Sequence, residues 1–457
     1  MTKAILSKEL DDFLSTYPDT RFMDVFAPDF NGILRGKRIQ IEEFSKVFGE
    51  GSNYVASTPL MNVLGDIPAA IVYGNDDGDP DLLSTAVPGT LAPVPWASLP
   101  TAQCILELKE FDGTPWFLDP RNVLRKALQA LVDMGLKPVL ATELEFYLVE
   151  HDGDRFKPRL PKIPGSQLPQ GGFQYGSFDD LESVDSFLVD LDTYCSAQNI
   201  PAGTALSEFS PGQFEINLHH VEDPVLACDH AILLKRAVKA AARKNGLAAT
   251  FMAKPFREFA GSGLHIHTSL LNADGSNVFS GNSKDGEFSD TLRHAIGGMA
   301  HTMAESMAVF APNANSYRRY APDFYVPATP NWGPNHRDLS MRIPASSQKN
   351  RRVEHRVAGA DACPYLVVAA IMAGIHHGIA NQIEPGPMVA EKQKVDYEVT
   401  LPVRWSKALD AFQAGQVLPR YFGEKYHGLF EACRREESDL FNAEISDRDY
   451  EWYLRAV

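Results

Sequence analysis

From residue 20 to 110 the apolar and polar positions fall in short runs broken by turns. RFMDVFAPDFNGILRGKRI, AAIVYGNDDGDPDL and AQCILELKEF each read as short strands joined by turns. Apart from the opening segment, helical periodicity is scarce there. It becomes clear afterwards. Asp119-Pro120 offers an N-cap and a first-turn proline to RNVLRKALQALVDMG, which stops at Gly135. Asp223-Pro224 does the same for VLACDHAILLKRAVKAAARKNG, which stops at Gly246. Two more apolar helices are predicted near residues 289–310 and 364–382, with strands between the helices. The pattern predicts an α+β protein with a small β-rich N-terminal domain over 1–112 and a larger α+β domain over 113–457.

The later strands carry an unusual polar face. Side chains two apart on a strand point the same way. Glu143 and Glu145 therefore share a face in ATELEFYLVE, as do Gln213, Glu215 and Asn217 in PGQFEINL. Glu208 precedes the Pro-Gly turn that leads into the latter strand. His265, His267 and Ser269 share a face in GSGLHIHTSL, and Arg352, Glu354 and Arg356 in RRVEHRV. One such strand is an ordinary half-exposed sheet surface. If all of them adjoin, five carboxylates and at least one imidazole converge, and their repulsion requires cations. Carboxylates without thiolates select hard ions, Mg²⁺ or Mn²⁺. Neighbouring arginines would face anions such as carboxylate or phosphate, so a nucleotide-dependent reaction is expected.

Composition narrows the class. The chain has 457 residues, 44% hydrophobic and 22% charged, as in an ordinary globular protein. Its net charge of −16 disfavours nucleic acid as a partner. No apolar run is long enough to cross a membrane, and the opening MTKAILSKELDDFL turns acidic where a secretory signal would be apolar. Five scattered cysteines without a CxxC agree with a reducing, cytoplasmic location. Weaker motifs add little. GILRGKR lacks the spacing of a phosphate loop and reads as a strand and turn with basic flanks. His376-His377 reads as packing or surface, and His219-His220 as the end of a strand.

KPFREFAGSGLHIHTSL, SPGQFEINL, NSYRR, NHRDLSMRIP and RRVEHRVAGADACPYL occur in the order found in the glutamine synthetase family, which the chain resembles over nearly its whole length. The resemblance implies an N-terminal β-grasp domain and a catalytic domain with a curved antiparallel sheet flanked by helices. It also implies active sites between subunits of hexameric rings, single or stacked as a dodecamer. One metal would be held by Glu145, Glu208 and Glu215, and a second by Glu143, His265 and Glu354, with two or three Mg²⁺ or Mn²⁺ in all. His267, Ser269, Lys349 and Arg352 match nucleotide or phosphate contacts. Arg337 and Arg342 match arginines facing the transferred phosphoryl group. Arg319 and Arg356 match the grip on the glutamate carboxylate, and Gly261 a backbone contact to it. Asp29 matches the aspartate that binds and deprotonates the amine.

One segment departs from the ammonia-using pattern. Where those enzymes read approximately RLVPGYEAP, this chain reads RYAPDFYVP, with Tyr325 in place of the glutamate that helps bind ammonium. A neutral phenol lacks that charge and offers an aromatic face to an alkyl amine or its ammonium form. With the NGILRGKR element, this is closer to the γ-glutamylpolyamine synthetase branch. The expected activity is ATP-dependent joining of glutamate to an amine, the alternative being an ordinary ammonia-using glutamine synthetase. Tyr397, in VDYEVTLP, lacks the family's usual nucleotidylation context, so that regulation is not expected.

Overall fold

The structure is a computed structural model and describes residues 2–163, 165–172, 175–281, 287–322 and 324–457. Asp323 of RYAPDFYVP lies outside the described residues.

The helix Thr2–Thr16 buries Leu6, Leu10 and Phe13. Next come strands β1 (Phe22–Pro28), β2 (Leu34–Gln40), β3 (Ser52–Val55), β4 (Asp81–Ala86), β5 (Ala92–Pro93) and β6 (Thr101–Lys109). They form one mixed sheet ordered β2-β1-β6-β4-β3, with β5 on β6 and with β1 and β6 parallel. This is the unit that the β-grasp expectation describes. One strand expectation fails. Residues 69–80 are turns, and the strand starts only at Asp81. The backbone N–H groups there are committed elsewhere: those of Ala69 and Ala70 donate to Glu436, and those of Gly74 and Asp79 to Asp77. None of these donors is left for a ladder.

The second sheet contains β7 (Lys137–Asp152), β8 (Arg155–Pro158), β9 (Ala202–Ser207), β10 (Gln213–Leu218), β11 (Ala248–Thr250), β12 (Leu264–Leu271), β13 (Trp332–Pro334), β14 (Met341–Ile343) and β15 (Val353–His355). This curved sheet runs β13-β14-β15-β12-β7-β10-β9, with β8 and β11 also on β7, and is antiparallel except for β13 with β14. On β7, Leu140, Leu144, Phe146 and Leu148 are fully buried on one face. Burying each such side chain contributes about 1.5–3 kcal/mol. That face packs against the helix Pro224–Lys244, leaving Glu143 and Glu145 on the other.

The predicted helices occur at Pro120–Asp133, Pro224–Lys244, Asp290–Phe310 and Pro364–Asn381. The Asp119 carboxylate accepts from Arg121 N at 2.9 Å and that of Asp223 from Val225 N at 2.9 Å, as the Asp-Pro pairs predicted. The last two helices touch backbone to backbone. A Cβ on Gly298 would lie 2.0 Å from the Gly374 carbonyl, so only glycine permits that approach. The helices Asp185–Ala197, Trp405–Gln413 and Glu424–Ala443 complete the main set and were not anticipated from the pattern.

Candidate active site

Strand order brings the charged faces together. Glu143 on β7 lies opposite His265 on β12, Glu145 opposite Glu215 on β10, and Glu354 on β15 opposite both His267 and Arg342. Two glutamates directly across an antiparallel pair repel each other. Glu208, just past β9, joins them, and its carboxylate accepts from the Phe209 N–H at 3.0 Å. Burial first, and then the Glu145 charge, pushes Glu208 up to about 7. Burial, followed by Glu143 and Glu145, pushes Glu215 up to about 10. Burial also opposes ionisation of Glu143, but its bonds with His265 and His267 hold it well below the carboxylate range.

Ligand atoms of Glu145, Glu208 and Glu215 all lie within 4.8 Å of one another, as do those of Glu143, Glu215 and His265 and those of Glu143, His267 and Glu354. His265 Nδ1 lies 3.3 Å from Glu143 and 3.9 Å from Glu354. The cost of holding these carboxylates ionised together, and the absence of thiolate among the donors, fit hard divalent cations. His267, expected at the nucleotide, converges on the same carboxylates through a 2.7 Å contact from Nε2 to Glu143. Arg352 donates to its Nδ1 at 3.2 Å. An arginine only donates, so neutral His267 carries its proton on Nε2 and donates to Glu143.

The arginines occupy one side of this cluster. Glu354 is buried and accepts from Arg342 at 2.7 Å and from Arg356. Arg319 is also buried. It donates to the carbonyls of Val357 at 2.8 Å and Arg356 at 3.4 Å, while its Nε has no partner. A Cβ on Gly263 would lie 2.7 Å from both Arg319 Nη2 and His265 Nε2, so the Gly-Ser-Gly turn makes space for two site residues.

Two cavities meet at Glu143 and Asn217. The first, about 720 Å³, is lined by the five glutamates, His265, Gly261, Tyr325 and by Arg319, Arg337, Arg342 and Arg356. The second, about 850 Å³, is lined by His267, Ser269, Lys349 and Arg352. Sixteen of the seventeen expected site residues therefore line these two adjoining cavities.

Asp29 is the exception and lines neither cavity of this chain. Its carboxylate is fully buried in the turn between β1 and β2. One oxygen accepts from the N–H groups of Asn31 and Ile33, both at 2.8 Å, and the other from Arg35 at 3.0 Å. Every partner is local. Within this chain the side chain holds the turn.

Residues 117–453 match the family described as the catalytic domain of glutamine synthetase. The chain belongs to the glutamine synthetase family. It is 41% identical over 453 residues to γ-glutamylputrescine synthetase of Escherichia coli K12, covering 98% of this chain and 95% of that one. It is 32% identical to a glutamate–isopropylamine ligase of a Pseudomonas species, over 88% of each chain. A glutamine synthetase of Pyrococcus abyssi is 29% identical, over 91% of this chain and 90% of that one. A solved structure titled apo GmaS superposes with a TM-score of 0.82 at 24% identity, over 97% of this chain and 99% of that one, and shares its fold. The family fold expected from the motifs is therefore present.

Several lining residues escaped the sequence reading. Tyr175, His336, Asp338, Glu391 and Lys392 come from irregular segments without strand periodicity, so no pattern marked them. Phe324, beside Tyr325, is held by Lys254, whose Nζ lies 4.0 Å from the ring centroid. Among the described residues, no helix is long and apolar enough to cross a membrane. His376 meets the Tyr421 hydroxyl at 2.6 Å, His377 packs on His301, and His219-His220 follows the end of β10, as anticipated.

Proposed function

We propose that this chain is an ATP-dependent ligase that joins the γ-carboxyl of glutamate to an amine through a γ-glutamyl phosphate. The observation that carries the amine is Tyr325, a neutral aromatic side chain on the cavity wall. The relatives named for putrescine, isopropylamine and ethanolamide support the same reading.

In this reading Arg319 and Arg356 grip glutamate, and Gly261 contributes a backbone contact. His267, Ser269, Lys349 and Arg352 hold ATP in the adjoining cavity. Arg337 and Arg342 face the phosphoryl group and offset the charge it develops in transfer. Two or three Mg²⁺ or Mn²⁺, held by Glu145, Glu208 and Glu215 and by Glu143, His265 and Glu354, would neutralise phosphate charge and orient the reacting oxygens. The amine then attacks the acyl phosphate and phosphate leaves. The Tyr325 segment limits the entry of water, which would hydrolyse that intermediate. The segments 1–112 and 113–457 act as two domains, and ring-shaped homo-oligomers with shared sites, hexamers or dodecamers, follow the family pattern.

Phosphate release from ATP, measured with glutamate and a panel of ammonia, monoamines, diamines and polyamines, tests the reading. An alkyl amine should give the highest kcat/KM. If ammonia wins by a wide margin, the protein is an ordinary glutamine synthetase.

A further inference from the structure

Between strands β1–β2 and the helix Pro224–Lys244 lies another cavity, of about 570 Å³, separate from the carboxylate face. Five cations line it, Arg38, Lys235, Arg236, Lys239 and Arg243, against a single carboxylate, Asp24. The excess is opposite in sign to the chain's net charge of −16. The helix creates it by spacing, because residues 235, 239 and 243 are four apart and share a face. Like charges so placed destabilise a helix unless something offsets them.

Asp24 cannot offset them all. Arg38 donates to its two oxygens at 2.7 and 3.1 Å, and Arg236 Nη2 donates to one of them at 2.6 Å. Arg236 Nε stays enclosed without a partner. Lys239 and Arg243 have no ion pair among the described residues. Lys235 reaches the carbonyls Ala360 O at 2.6 Å and Ala362 O at 3.4 Å, and its Nζ lies 5.5 Å from the Phe251 ring centroid, with that of Lys239 at 5.9 Å. Burial, with no carboxylate in contact, pushes the Lys235 ammonium down to about 8. The Arg236 guanidinium is fixed by two rings, with Phe26 at 5.2 Å and Trp96 at 5.6 Å.

We propose that this cavity binds a phosphate-bearing small molecule, held by Lys239 and Arg243, with Arg236 and Lys235 beside them. A phosphate dianion brings two charges and several acceptor oxygens to donors that have neither. The volume lies in the range of small-molecule sites and leaves room for more than inorganic phosphate.

Equilibrium dialysis of the full-length protein against inorganic phosphate and against ribose 5-phosphate tests this. An Arg352→Gln background weakens binding in the nucleotide-side cavity. In that background one anion per chain should remain, and adding Lys239→Gln with Arg243→Gln should weaken it by about tenfold or more. The pair K239Q/R243Q should melt close to wild type and keep ligase turnover in phosphate-free buffer. The charge-conserving pair Lys239→Arg with Arg243→Lys should retain binding. Tighter binding of ribose 5-phosphate identifies an organic ester as the occupant, and tighter binding of phosphate identifies the free ion. Unchanged affinity in K239Q/R243Q overturns the proposal. So does a change of oligomeric state with anion binding intact, which would make this face a contact between copies.

Discussion

Tyr325 is about half exposed, 54%, and its backbone φ is +53°, in the left-handed region that a tyrosine seldom adopts. Such strain persists where surrounding structure enforces it, and here Phe324 is pinned by Lys254 on the preceding position. Tyr325→Glu places a carboxylate beside the cavity without changing that constraint. The ratio of kcat/KM for ammonia to that for the best alkyl amine should rise by about tenfold or more, corresponding to about 1.4 kcal/mol. An unchanged amine profile would remove Tyr325 from specificity. Asp29 calls for the opposite kind of test. Asp29→Ala leaves two backbone donors and Arg35 without their acceptor, so stability should fall by about 2–4 kcal/mol in denaturant titration. Turnover per folded molecule should stay near wild type. A loss of kcat in a stably folded variant would instead support the catalytic reading. These two positions show where residues could be read from sequence. The strand glutamates were visible because a period of two exposes them, whereas PDFNG gives no sign that its carboxylate closes on its own turn.

Helix boundaries were legible because capping is a local, chemical signal. Asp119 and Asp223 each precede a proline and each cap the helix they were expected to start. Tyr175, Glu391 and Lys392 were not legible, because irregular backbone reaches the cavity only through tertiary contacts. Residues 69–80 misled for a related reason, because their donors serve Glu436, distant in sequence, and Asp77 within the segment itself. The Asp119 cap has a further consequence. It is fully buried, and burial outweighs Arg121 and the backbone N–H groups to push its carboxyl up to about 6 from an ordinary 3.8. A carboxyl raised by folding binds its proton more tightly in the native state. Its contribution is therefore fully present below pH 4 and lost as pH rises through 6, a swing of about 3 kcal/mol. Asp119→Asn lacks that titration. The stability of the variant relative to wild type should move in the variant's favour by about that amount between pH 4 and pH 7. A difference that stays flat across this interval would mean that Asp119 remains ionised throughout.

At the scale of the whole molecule, the helix Glu424–Ala443 near the end of the chain is fastened to the first sheet by charges buried among rings. Arg434 is 1% exposed and donates to Asn31 Oδ1 and to Glu437, each at 2.7 Å, and to the Phe30 carbonyl at 3.4 Å. Its guanidinium lies 4.2 Å from the Phe30 ring centroid and 5.3 Å from that of Phe430. Glu436, on the same helix, accepts from Ala69 N at 2.8 Å and Ala70 N at 2.6 Å. Residues some four hundred apart in sequence thus stabilise the turn that Asp29 organises. Removing one member of such a pair is far costlier than removing both, because the survivor is a buried charge without a partner. Arg434→Ala should cost about 3–5 kcal/mol, and Arg434→Ala combined with Glu437→Ala should cost less than the sum of the two single changes. Amide exchange would resolve where the loss falls. If the helix and the first sheet open together, protection at residues 22–40 and at 424–443 should drop in parallel in Arg434→Ala. Loss confined to the helix would show that it and the first sheet are stabilised separately.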